Sequence, residues 1–96
     1  MKAVFIAYNK ALSDAVITVL DRQHIRGYTN WDTVGRGTEW GEPHMGSHAW
    51  PAVNSTIITI VEDSKVAPLL HALKLLDKER EMQGLKAYVW NVEEHI

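Results

Sequence analysis

The chain contains no cysteine, which excludes disulfides, zinc–thiolate clusters and thiol nucleophiles. It also has no apolar run near the ~18 residues that a membrane-spanning helix needs. The opening residues Met1-Lys2-Ala3-Val4-Phe5-Ile6-Ala7-Tyr8 lack the longer apolar stretch and small-residue cleavage site of a secretory leader. These absences are the pattern expected of a cytoplasmic protein that does not insert into membranes. An excess of one charge is missing too, with 10 Lys and Arg against 12 Asp and Glu for a net −2. Without a basic run, nucleic acid is not an expected partner. Low complexity is absent as well: 46% of residues are hydrophobic and 23% charged, an ordinary globular balance. Ninety-six residues suit one domain spanning 1–96, with a core too thin to be generous. What stands out is four Trp and five His in so short a chain.

The apolar run 3–8 reads as a buried strand closed by Asn9, which can also cap the segment that follows. Leu12, Val16, Val19 and Leu20 recur at helical spacing to about Gln23, and Gly27 suits the left-handed residue past a helix end. Residues 28–34 alternate weakly around Trp31 and read as a second strand. Residues 56–61 are rich in β-branched side chains and read as a third. Asp63 or Ser64 then caps a second helix with the stripe Val66, Leu69, Leu70, Leu73 and Leu76. Pro68 falls near its first turn and Gly84 is its stop. Residues 85–92 form the last strand, with Leu85, Ala87 and Val89 on one face. The order β-α-β-β-α-β predicts an α+β, ferredoxin-like sandwich: a four-stranded antiparallel sheet with two helices on one face and a long loop between strands two and three. Tyr8, Tyr88, Trp90 and Val92 then make the other face apolar, and a second copy of the chain is the natural cover.

The loop 35–51 holds four of the six glycines, two of the three prolines, two Trp and two His. Loops this long in a compact domain are uncommon and often functional. His44 and His48, with Glu42 nearby, are donors suited to Zn, Cu or Ni, and Met45 between them adds a thioether for Cu(I). The same histidines would equally hydrogen-bond the loop's own backbone or stand in solvent. Gly35-Arg36-Gly37, followed by Thr38, lets backbone amides and a guanidinium approach a nucleotide phosphate. Its spacing matches neither a dinucleotide fingerprint nor a P-loop, and a β-bulge needs glycine just as much. Trp40 and Trp50, with Met45, are candidate anchors for a partner protein, or else fold back onto the chain or its neighbour. Ser13, Ser47, Ser55 and Ser64 lack the setting of a nucleophile, so an enzyme is not expected. His24 and His71 fall in the helices, where surface roles suffice.

The element order and the segment Asp32-Thr33-Val34-Gly35-Arg36-Gly37-Thr38-Glu39-Trp40-Gly41 resemble the PII signal-transduction superfamily over essentially the whole chain. That segment lies where PII proteins carry Gly-x-Gly-Arg-Gln-Lys-Gly running into their long T-loop, and Gly35, Gly37 and Gly41 keep the glycine frame. The resemblance implies a homotrimer that binds effectors between subunits and docks onto transporters, enzymes or regulators through the T-loop, here 38–52. Thr38, Glu39 and Trp40 replace the Arg, Gln and Lys that contact nucleotide phosphates and 2-oxoglutarate in that family. The family's Gly-Lys-x-Gly-Asp-Gly-Lys loop is replaced by Lys78-Glu79-Arg80-Glu81-Met82-Gln83-Gly84-Leu85. The stretch from Gly41 to Pro51 is similar to divergent PII-like proteins, some associated with heavy-metal efflux, and the copper-tolerance relatives share the trimeric fold. The preferred reading from sequence is therefore a PII-like regulator of a partner such as a metal transporter. In it a transition-metal ion is held by Glu42, His44 and His48. An adenine nucleotide at intersubunit sites is the alternative.

Overall fold

The computed structural model describes residues 1–32, 55–80 and 84–96. Its elements are β1 (Lys2–Tyr8), a 3₁₀ turn (Lys10–Leu12), α1 (Ser13–Arg22), β2 (Thr29–Asp32), β3 (Ser55–Val61), α2 (Asp63–Glu79) and β4 (Lys86–Asn91). The strands form one sheet in the order β2-β3-β1-β4. Every neighbouring pair is antiparallel, so the ferredoxin-like α+β arrangement expected from the sequence is what the chain adopts.

Strand parity decides which residues reach the core, because successive side chains point to opposite faces. Val4, Ile6 and Tyr8 of β1 join Ile57 and Val61 of β3 beneath the helices, where Leu12, Val16, Leu20, Leu69, Leu73 and Leu76 complete one cluster. Tyr8 is thus fully buried on the helix side, and its expected place on the outer face is wrong. It shares parity with Val4 and Ile6, and Asn30 Nδ2 donates to its hydroxyl at 3.3 Å, which lets a polar tip enter an apolar layer. Two other buried hydroxyls are matched in the same way. Thr59 Oγ1 donates to the Gly27 carbonyl at 2.6 Å, and Ser55 Oγ donates to the Trp31 carbonyl at 3.3 Å.

The helix ends depart from the sequence expectations in instructive ways. Asn9 does cap, but it caps the 3₁₀ turn, accepting from the Ala11 amide at 2.8 Å. Helix α1 ends in a Schellman motif. The Ile25 amide donates to the Leu20 carbonyl at 2.9 Å, and the His24 amide to the Asp21 carbonyl at 3.0 Å. His24, not Gly27, holds the left-handed position, with φ 60°, and so lies beyond the helix rather than in it. Burial of Ile25 drives this choice, since it places the residue after the left-handed turn into the core. Lys65 of α2 donates its ammonium to the Gln23 carbonyl at 2.8 Å, opposing the negative end of α1. Because left-handed backbone is strained for any residue with a Cβ, His24→Gly is expected to raise the unfolding free energy by about 0.5 kcal/mol, the relieved strain exceeding the added chain entropy. A denaturant titration reads this directly, and a loss of stability would show that the His24 side chain contributes more than its backbone costs.

Helix α2 is capped at Glu62 by backbone geometry alone. Asp63, expected as a cap, is instead its first helical residue, and its carboxylate pairs with the terminal ammonium of Met1 at 3.0 Å. That ammonium, by hydrogen bond and charge, holds the Asp63 carboxyl below its ordinary value. Pro68 lies inside α2, beyond the first turn. It is tolerated on the exposed side, where the carbonyl one turn back can face solvent. The helix ends at Glu79, before Gly84, whose φ of 71° serves the entry to β4 instead.

Candidate functional site

The long segment 33–54 leaves from β2 and returns at β3, and its two ends are held together by the sheet itself. Asp32 and Ser55 are direct partners in the β2–β3 register, and Tyr8 is opposite Ser55 on the other side. The buried Ser55 hydroxyl bonded to the Trp31 carbonyl, together with the Asn30–Tyr8 bond, ties this base to the core. A rigid base under a long segment is the arrangement that lets a loop respond to a ligand without disturbing the fold. The sequence-predicted site residues Gly35, Arg36, Gly37, Thr38, Trp40, Glu42, His44, Met45, His48 and Trp50 all lie outside the described residues. Among the described residues, no group of three or more His, Asp or Glu is placed to hold a metal ion.

The outer face of the sheet, opposite the helices, is the second feature. Antiparallel partners share a face, so the register assembles it from Ala3, Phe5 and Ala7 of β1, Thr56, Ile58 and Ile60 of β3, Thr29 and Trp31 of β2, and Lys86, Tyr88 and Trp90 of β4. Ile60, Trp31, Tyr88 and Trp90 each remain about half exposed, at 47%, 47%, 46% and 50%. The Phe5 and Tyr88 rings stack with centroids 6.3 Å apart. An apolar surface of this extent on a thin domain marks an interaction face. Trp31 and Trp90, expected from the sequence on the second and last strands, are both on this face.

A cavity of about 240 Å³ lies at the far end of the sheet, among Met1, His24, Arg26, Glu62 and Lys65. Two of its cations are already engaged, Lys65 with the Gln23 carbonyl and the Met1 ammonium with Asp63. It is also remote from the segment 33–54, since β1 begins and β3 ends there. The base of that segment and the adjoining outer face are therefore the better candidate site.

The family model of the nitrogen regulatory protein P-II matches residues 1–96. The chain belongs to the P-II family. This agrees with the resemblance seen in the element order. Solved structures share the fold. CPII from Thiomonas intermedia K12, a nitrogen regulatory PII-like protein bound to ADP, AMP and bicarbonate, superposes with a TM-score of 0.68 at 24% identity, covering 92% of this chain and 86% of that one. A PII-like signalling protein from Thermus thermophilus gives a TM-score of 0.60 at 27% identity, covering 95% and 85%. A DUF3240 family protein from Shewanella baltica gives 0.69 at 14% identity, covering 98% and 91%. No curated protein sequence matches this P-II family chain. Among its described residues, no helix is long and apolar enough to cross a membrane.

Proposed function

We propose that this chain is a single-domain PII-like regulator that binds an adenine nucleotide between the subunits of a homotrimer. Occupancy of that site is passed to a target protein through the segment 38–52. The observation that carries the reading is the full-length P-II match in a chain whose Gly35-Arg36-Gly37 segment follows closely on β2. The CPII structures with ADP and AMP support the same ligand class. Arg36 supplies a guanidinium for phosphate, and Gly35, Gly37 and Thr38 supply backbone amides with little steric cost. Trp40, Met45 and Trp50 are the partner-facing anchors of the loop. The exposed apolar sheet face supplies the subunit contact, because a lone protomer has nothing to cover it.

This reverses the order of ligands drawn from sequence, where a transition metal at Glu42, His44 and His48 came first. One titration separates the two. Calorimetry of the full chain with ADP, AMP and ATP, and separately with Zn, Cu and Ni salts, is expected to give saturable heat with the adenine nucleotides. Arg36→Ala is expected to weaken ADP about ten- to hundred-fold, since a hydrogen bond to a charged group contributes ~1.5–3 kcal/mol. Heat with a metal alone, lost in a His44→Ala, His48→Ala variant, would restore the metal reading. Bicarbonate belongs in the same titration, since CPII is bound to ADP, AMP and bicarbonate.

A further inference from the structure

The outer sheet face changes character along its strands. Near the start of β1 its cross-strand rows are Ala3, Ile60 and Trp90, then Phe5, Ile58, Thr29 and Tyr88. These rows are apolar apart from the hydroxyls of Thr29 and Tyr88 and suit a subunit contact. The next row, at the base of the segment 33–54, is Trp31, Thr56, Ala7 and Lys86. Here a large aromatic on one edge strand adjoins the Thr56 hydroxyl, and the Lys86 ammonium closes the row on the opposite edge strand, roughly 14 Å across the sheet. Lys86 is the only charged side chain on this face among the described residues, and it is exposed.

An interface anchor is normally seated among other apolar groups with its neighbours excluding water. Trp31 lacks that setting. Among the described residues β2 is an edge strand paired only with β3, and Trp31 is 47% exposed. It also stands four residues before Gly35 on the strand that leads into the Gly35-Arg36-Gly37 segment. An exposed indole beside a hydroxyl, with a cation in the same row, has the chemistry for a planar base carrying an anionic tail. Every base presents a π-face, so stacking needs no particular hydrogen-bond pattern.

We infer that Trp31 stacks on the adenine base of the bound nucleotide, with Lys86 contributing positive charge toward its phosphates. The assignment rests on the nucleotide reading above and adds a base-recognition residue to it. A neighbouring copy, seated on the apolar rows, supplies the opposite wall.

The test titrates ADP into the full chain, followed by calorimetry and tryptophan fluorescence, with native mass measured for each variant. ADP is expected to quench the wild-type emission. Trp31→Phe, which keeps a ring, is expected to bind ADP with little loss but to remove most of the quench. Trp31→Ala is expected to weaken ADP about ten-fold or more at unchanged mass, the scale of one base–aromatic stack. Wild-type affinity in Trp31→Ala, or full quenching in Trp31→Phe, overturns the assignment while leaving the nucleotide reading intact. A Trp31→Ala variant that loses ADP only by falling to single chains makes Trp31 an interface anchor, and the Trp31→Phe quench then decides. Absence of ADP binding by the wild type removes the nucleotide reading itself.

Discussion

Replacing Ile60 with Lys is expected to reduce the native mass in solution from that of the proposed trimer to that of a single chain. Ile60 is 47% exposed in the protomer and shares a row with Ala3 and Trp90 at the apolar end of the outer face. Burying an isoleucine contributes about 1.5–3 kcal/mol. Closed symmetry repeats that gain in every subunit. An ammonium in its place must either leave water, at a cost of several kcal/mol, or hold the subunits apart. Its repetition around the symmetry axis also places like charges together. Ile60 points away from the helices, so the fold of the separated chain should survive, and the circular-dichroism spectrum is expected to stay the same. Light scattering at micromolar concentration decides the matter. A wild type that runs as one chain, or a variant that keeps the assembled mass, would show that this face serves something other than self-association. If the effector site is shared between subunits, the Ile60→Lys variant loses nucleotide binding as well.

Leu69→Ala is the second large effect, and it acts on the fold. Leu69 is fully buried, on the helix α2 that packs on β1, β3 and α1. Truncating a buried leucine removes its transfer free energy and leaves a cavity that close-packed neighbours fill only in part, at about 2–5 kcal/mol. A domain of this size has a total stability of roughly 5–15 kcal/mol, so the loss is a large share of it. Denaturant unfolding at fixed protein concentration should show the shift, with concentration held constant because self-association adds to apparent stability. Leu75 provides the internal comparison: it is on the same helix but 53% exposed, and Leu75→Ala is expected to stay within about 0.5 kcal/mol of wild type. Equal losses at the two positions would mean that Leu75 is covered in the assembled protein.

Much of the fold was legible in local pattern. The stripe Leu69, Leu73 and Leu76 and the alternation Leu85, Ala87, Val89 are periodicities, and periodicity survives without tertiary context. Gly27 and Tyr8 were misread for a shared reason. The helix stop needed to know that Ile25 would be pulled into the core, which moved the left-handed turn onto His24. Tyr8 looked like a member of the aromatic outer face by residue type, but parity with Val4 and Ile6 turns it inward, where Asn30 meets its hydroxyl. At the site, the glycine frame at 35, 37 and 41 and the His and Trp content of the loop were visible as composition. The choice between metal and nucleotide was not, because donor types within one short stretch suit several ligands.

The absence of cysteine by itself excludes disulfides and thiol chemistry, since it is a property of residues counted one by one. Periodicity determined the element order, because it is encoded over short stretches of chain, and the glycine frame carried the resemblance to the P-II family that the family model shows. Tertiary structure decided the rest. Strand order put Trp31, Thr56, Ala7 and Lys86 into one row although they are up to 79 residues apart in the chain. It also gathered the aromatics of β2 and β4 onto one uncovered face. Register is a property of pairs of strands, and no single segment contains it.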